Sequence, residues 1–394
     1  MRRCVLLAIS TLMVAGCWAQ PGFDAQYRAN NPFNGSLTTA TAPDLTEAWR
    51  VTRPGTVSSP LIIGNATIIT YGNTVESLDT ATGARRWATA LDINIPPSPA
   101  ISLSIGEPVR AADGFVHVRW DAIPYFGEVK VDIETGAMTA VAVDSMGGAA
   151  VVDGSRHARL SWTLEIPNLT AFVEYGPHRG LVYSGPIESL PTLGGPMVLG
   201  DRVFVSRDNQ VLAWDFGTCM PTTTPVGFCS HVDLFATDGY VGPPVALNDD
   251  RIVVVTELGS IVVDAQTLDQ ITRAPGGSPD LLPPAVAAGR AFAPSYDDLR
   301  AWPIDCTFPC FGFTGFAVGG EIAQQPAVGN DVLFVARTDG ALLAFDRDCT
   351  SSPCAPTWQA DATPGSGAPI TAGPVVASGK VAVVAGSTLV AFST

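Results

Sequence analysis

A strand–turn pattern recurs eight times along the 394 residues, at a spacing of roughly 45 residues, and this repeat limits the folds open to the chain. The clearest copy runs from Ser58 to Trp87. It reads as a proline, a buried strand, a second strand, a tight turn, a third strand ending Leu78-Asp79, a Thr82-Gly83 turn, and Trp87. A single such unit leaves both of its apolar faces open, so the copies must stack. Pro60, Pro99, Pro196, Pro244, Pro284, Pro326 and Pro374 mark most copies. Second strands rich in Val, Ile or Phe follow them, such as Arg251–Thr256 and Val332–Ala336. Polar or glycine-containing pairs (Gly72-Asn73, Asp208-Asn209, Asp339-Gly340) then turn the chain into third strands. A weaker copy between about Ala149 and Gly185 lacks both the proline and the aspartate.

Short strands in units of four imply an all-β chain and an eight-bladed β-propeller of four-stranded antiparallel blades. The last copy stops at Thr394 after its third strand, while Leu45–Val51, centred on Trp49, reads as a fourth strand with no preceding three. The expectation is that this N-terminal strand completes the terminal blade and removes an exposed sheet edge. The propeller is therefore expected over 45–394.

The N-terminus pairs Arg2-Arg3 with an apolar run to Val14 and then Ala15-Gly16-Cys17. A basic start and a short apolar core read as an export signal over 1–16, too short to span a bilayer. Val14-Ala15-Gly16-Cys17 resembles the bacterial lipobox, which implies acylation of Cys17 and removal of what precedes it. Ordinary cleavage with Ala19 in the small-residue position is the alternative. Several acyl chains would give stable anchoring. Residues 17–44 are then a tether and N-terminal extension, of which 22–32, with two aromatics, is expected to pack on the propeller. This places the chain outside the cytoplasm, as a cell-membrane or outer-membrane lipoprotein facing the periplasm or the exterior.

The remaining cysteines form three close pairs, Cys219/Cys229, Cys306/Cys310 and Cys349/Cys354, each just after a third strand. Local pairing in an exported chain favours disulfides that replace a hydrogen-bonded turn. Zinc is the competing reading of such spacings, but His117, His157, His178 and His231 are scattered, so no metal is expected. The formal charge of −15, with lysine only at Lys130 and Lys380, disfavours nucleic acid.

Leu78-Asp79-Thr-Ala-Thr82-Gly83-Ala-Arg-Arg-Trp87 resembles the repeat of the PQQ-like, quinoprotein-type propeller family. That resemblance implies that Asp79, Thr82 and Gly83 form a tied turn and that Trp87 docks between blades. Asp132, Thr135 and Gly136 match without the tryptophan, and the Cys349/Cys354 segment matches with Trp358. One branch of the family, the quinoprotein dehydrogenases, holds a quinone against two adjacent cysteines. Here no two cysteines adjoin, so neither cofactor nor catalysis is expected. The other branch comprises BamB-like anchored lipoproteins. Asp249-Asp250 and Asp297-Asp298 fall at strand ends, where solvated turns are usual. No nucleophile elbow, phosphate loop or His-Glu-x-x-His occurs. His157–Glu165, with Ser161-Trp162, gives the weak copy polar and aromatic residues for a site of its own, although divergence without function is the commoner reading, and the aromatics Trp120 and Tyr125 leave room for a carbohydrate- or wall-binding alternative. The expectation is a monomeric, non-catalytic scaffold for unidentified envelope proteins, touching the membrane only through its lipid; an exported quinoprotein oxidoreductase is the second alternative.

Overall fold

The computed structural model describes residues 23–394, apart from 25, 27, 92–103, 113, 123–124, 143–145, 154–155, 166–167, 176–177, 187–192, 218–226, 230–232, 238, 275–276, 278–279, 296–297, 307–312 and 364–366. Cys17, Cys219 and Cys310 lie outside the described residues, as does the 1–16 segment. The described residues contain no α-helix, and their strands form eight sheets of four or five strands.

The chain divides into two compact units. The first contains residues 29–144 and 316–394, and four sheets belong to it. Its best-ordered repeat comprises Leu61–Ile63, Ala66–Tyr71, Thr74–Asp79 and Arg85–Ala90, each antiparallel to the next. Leu61, Ile68 and Val75 from this sheet pack with Val116, Val118, Trp120 and Val129 of the 104–142 sheet. Burying apolar area between sheets is the main force holding such units together. The second unit contains residues 24–28 and 145–315. Its core joins Met197, Phe204 and Trp214 of the 193–236 sheet to Val253 and Ile261 of the 245–274 sheet, with Trp302 beyond.

Because both sheet faces are covered, central strands are apolar runs rather than alternating patterns, as in the wholly buried Val332–Ala336. Pro60, Pro244, Pro284 and Pro326 immediately precede first strands, where a missing N–H costs little. Pro196 and Pro374 instead sit inside Leu193–Leu199 and Ala372–Ala377, each at a register shift in the ladder.

The N-terminal strand closes the last sheet as expected. Thr46–Thr52 pairs antiparallel with Thr388–Ser393, so the chain's two ends share one sheet. Two sheets carry a fifth strand that a simple four-strand repeat does not predict. Asn30–Asn31 runs parallel to Ala327–Gly329, and Gly227–Cys229 runs parallel to His178–Gly180 on the edge of the 146–186 sheet. The segment around Cys229 thus covers the outer edge of the 146–186 sheet. The weak 149–185 copy nevertheless forms four regular strands, Met146–Asp153, Arg156–Glu165, Asn168–Tyr175 and His178–Pro186. Its lost signals were turn signals, and β-pairing did not need them.

Residues ahead of the closing strand are knitted into the sheets. In the second unit, Gln26 and Arg28 carbonyls accept from the N–H groups of Ala246 (3.1 Å) and Val286 (2.7 Å). In the first, the Ala29 carbonyl accepts from Val328 N–H (2.8 Å), and Asn31 Nδ2 donates to the Val376 carbonyl (2.8 Å). Asn34 Oδ1 accepts from Gly379 N–H at 2.8 Å. All these partners lie at or next to the turn between a first and a second strand.

Candidate functional site: docking turns and exposed loops

Asp79 builds the first docking turn. Its Oδ1 accepts from the N–H groups of Ala81 (3.1 Å) and Thr82 (2.9 Å) and from Thr82 Oγ1 (2.8 Å). Gly83 follows at φ 71°, a region where a side chain is strained. Its bare Cα lets an indole lie flat on the turn, since a Cβ there would sit 2.8 Å from Trp49 Cδ2. Trp49 Nε1 then donates to the Thr80 carbonyl at 3.0 Å. The residue that docks on this turn is thus Trp49 of the closing strand, a role the sequence reading did not give it.

Asp132, Thr135 and Gly136 repeat the geometry, with Oδ1 contacts of 2.8 Å to Thr135 N–H and to its Oγ1. These hydrogen bonds, led by the Thr135 backbone N–H, hold the exposed Asp132 carboxyl below its ordinary range. Here the visitor is Trp87: Nε1 donates to the Ile133 carbonyl at 2.8 Å, and a Cβ on Gly136 would lie 2.6 Å from the ring. Trp358 Nε1 donates to the Leu45 carbonyl at 2.9 Å and packs edge-on against Phe392 at 5.2 Å. It thus meets the closed sheet where the chain's two ends lie side by side.

A further turn of this kind, Asp264 to Thr267, escaped the motif because Leu268 stands in the glycine position at φ 58°. Asp264 Oδ1 still accepts from Gln266 and Thr267 N–H groups, both at 2.8 Å, which lowers its carboxyl pKa, the Thr267 bond leading. An Asp-x-x-Thr search without the glycine would have found it. Cys349–Cys354 is a disulfide, and Asp346 opens its loop by accepting from Asp348 N–H at 2.9 Å. Cys354 is fully buried and bridges to Phe316, which meets Phe345 edge-to-face at 5.5 Å. Cys306 is also disulfide-bonded.

Ionic contacts reinforce the closing strand. Glu76 is fully buried and accepts from Arg53 Nε (2.5 Å) and Nη2 (2.8 Å) and from Arg85 Nε (2.5 Å). Arg53 follows the closing strand directly, so this pair ties it to the 61–90 sheet. His117 Nδ1 lies 2.5 Å from Glu128 Oε1, on the face of the 104–142 sheet opposite its apolar one. Histidine scatter along the sequence concealed that pairing.

No group of three or more His, Cys, Asp or Glu suited to a metal occurs among the described residues. Trp120 is fully buried in the core. The side chains of Tyr125, His157, Ser161, Trp162, Glu165, His178 and Cys229 lie outside the described residues, and so do Asp297 and His231. Asp298 pairs with Arg300 at 3.1 Å; Asp249 and Asp250 occupy an exposed turn.

On the opposite ends of the strands, the second unit presents a stiff apolar tip. Thr256 Oγ1 donates to the Gly259 carbonyl (2.8 Å) and accepts from Leu258 N–H (3.2 Å). Gly242 N–H bonds the Val255 carbonyl at 2.9 Å, bringing the preceding loop alongside. Leu258 at the tip is 83% exposed and Tyr240 on that loop 53%.

Solved structures with the same arrangement decide the fold. A quinohemoprotein alcohol dehydrogenase, ADHIIG from Pseudomonas putida HK5, superposes with a TM-score of 0.66 at 11% identity, over 96% of this chain and 80% of that one. BamB from Moraxella catarrhalis superposes with a TM-score of 0.55 at 12% identity, over 89% and 100%. The computationally designed Ika8 protein gives 0.60 at 12% identity, over 88% and 99%. The chain is a β-propeller. No protein-family model and no curated protein sequence matches it. Two of the tied turns thus each receive a tryptophan from the sheet before them, Trp49 on the 79–83 turn and Trp87 on the 132–136 turn.

Proposed function

We propose that this propeller is an exported, lipid-anchored, non-catalytic scaffold that docks envelope proteins through its loop side. The observation carrying the reading is the 256–259 hairpin. Its backbone is internally bonded, yet its tip holds an 83% exposed leucine, and the loop bonded alongside through Gly242 carries a 53% exposed tyrosine. A rigid apolar tip loses little entropy on binding, and large exposed apolar residues on ordered loops mark contact surfaces. The lipobox-like Val14–Cys17 stretch supports anchoring, and the BamB neighbour supports an envelope setting by analogy of fold.

The test is capture from detergent-solubilised envelopes with the native protein and with Leu258→Asp. A partner retained by the first and lost by the second, with unfolding midpoints unchanged, is the expected result. Identical capture by both overturns the docking role of this tip. The quinoprotein neighbour motivates a second assay, thermal unfolding with added pyrroloquinoline quinone and calcium, since any ligand of the native state raises the midpoint. No rise is expected; a saturable rise would move the reading to an oxidoreductase.

A further inference from the structure

The geometry points to a second contact surface, on the first unit: we propose that the outer edge of strand Arg85–Ala90 accepts an extended peptide strand from a partner, with an acidic side chain of that peptide on Arg85. Arg85–Ala90 is the last strand of the 61–90 sheet and pairs on one side only, with Thr74–Asp79. Leu91 N–H donates to the Asn73 carbonyl at 2.8 Å, so ladder bonds recur at the pairs Val75/Thr89 and Ser77/Trp87. The intervening Ala88 and Ala90 point their N–H and C=O groups away from the sheet. No described residue bonds those four groups, and both alanines are exposed. Sheet edges are usually blunted by a charge, a proline, a bulge or a covering segment. The closing strand Thr46–Thr52 carries the Glu47–Arg50 ion pair and a register shift, and Gly227–Cys229 lies on the edge at His178–Gly180. Ala88-Thr89-Ala90 has only small, uncharged side chains, so another strand can approach to the usual spacing of about 4.8 Å.

The charge lies at the other end of this strand. Arg85 pairs with Leu78 and Ala88 with Glu76, so both share a sheet face with Glu76. Arg85 gives Glu76 its Nε at 2.5 Å, and Glu76 also accepts from Arg53 Nε and Nη2. Two guanidiniums on one buried carboxylate leave one positive charge over. Arg53 is 16% exposed and its Nη1 holds the Thr52 carbonyl, whereas Arg85 is 55% exposed. The surplus therefore sits on Arg85. Glu76 first, and Tyr71 after it, hold its guanidinium above the ordinary pKa. With Nε spent on Glu76, the rest of its fork suits a carboxylate. The neighbouring Arg86 is already matched by Glu134 at 2.8 Å. In a chain of formal charge −15, a positive edge favours an acidic segment over a second copy of the same chain. Main-chain bonds would give the strand its affinity and Arg85 its selectivity.

The probes are acetylated, amidated hexapeptides of alternating valine and threonine with a glutamate at each position in turn, and their glutamine counterparts. They are titrated into the full chain by fluorescence anisotropy. The best glutamate peptide should bind saturably, roughly tenfold tighter than its glutamine counterpart, and slow hydrogen exchange at the Ala88 and Ala90 amides. Arg85→Gln should erase that preference and leave the residual binding. Ala88→Pro should abolish binding of both peptides with the unfolding midpoint unchanged, since the lost N–H makes no ladder bond. Exchange at the two amides reads the same edge without any substitution. The inference is overturned if no peptide binds, if exchange at Ala88 and Ala90 is unaltered, or if binding survives Ala88→Pro. A glutamate preference that survives Arg85→Gln, or a peptide-free dimer that Ala88→Pro dissolves, overturns it equally.

Discussion

At the scale of single residues, Gly83 and Gly136 each do two things that no other residue does together. Each holds a positive φ, 71° and 73°, and each leaves room for an indole at under 3 Å from where a Cβ would stand. Alanine at either site strains the backbone, at about 1–3 kcal/mol, and also displaces the tryptophan. We expect Gly83→Ala and Gly136→Ala to lower unfolding stability by about 3 kcal/mol in urea titrations. Cost-free alanines would mean that the rings do not rest on these turns. Asp132 and Asp264 have carboxyl pKa values below the ordinary 3.8. A group lowered in the folded state contributes stability above its unfolded pKa and loses it as pH falls through the folded value. Asp132→Asn should therefore shrink the loss of stability on acidification below about pH 4, read as a flatter pH profile of the unfolding midpoint.

At the scale of elements, the closing strand Thr46–Thr52 is held from several directions: by Thr388–Ser393 in its own sheet, by Trp49 on the 79–83 turn, by Arg53 on Glu76, and by Trp358 at Leu45. Trp49 is 8% exposed, and a buried tryptophan cut to alanine typically costs about 3–5 kcal/mol. Trp49→Ala should show that loss in denaturant unfolding. Replacing Cys349 and Cys354 together by serine should cost about 2 kcal/mol, the loop-closure entropy for so short a ring. If the double variant matches wild type, Asp346 and the Phe316–Phe345 contact suffice for this turn. Much of this architecture was legible in the chain because strand pairing follows the apolar runs and the turns need particular residues: Thr82-Gly83 announces itself, and so does the orphan strand around Trp49. What escaped notice involves partners distant in sequence. Nothing near Asn30 signals Val328, nothing near Phe228 signals Arg179, and His117 stands eleven residues from the glutamate it meets. Leu268 hid a tied turn because tertiary burial overrode the usual preference for glycine at positive φ.

For the whole molecule, charge and turns pull stability in opposite directions as pH changes. Thirty-seven acidic against 22 basic side chains leave −15 near neutrality, and self-repulsion of that size opposes compaction. Lowering the pH toward about 5 begins to neutralise ordinary carboxylates and relieves the repulsion. Below about pH 4 the tied aspartates protonate and their turns lose their acceptors. Stability should thus peak near pH 5 rather than at 7. Salt separates the two effects, because screening at 0.15 M reaches charges about 8 Å apart or more but hardly touches a hydrogen bond inside a turn. Unfolding free energies measured at pH 7, 5 and 3.5 should show the gain from 7 to 5 only at low ionic strength. The fall below pH 4 should persist at both. A profile that rises monotonically with pH at low salt would mean that the tied carboxylates, and not net charge, govern stability throughout the range.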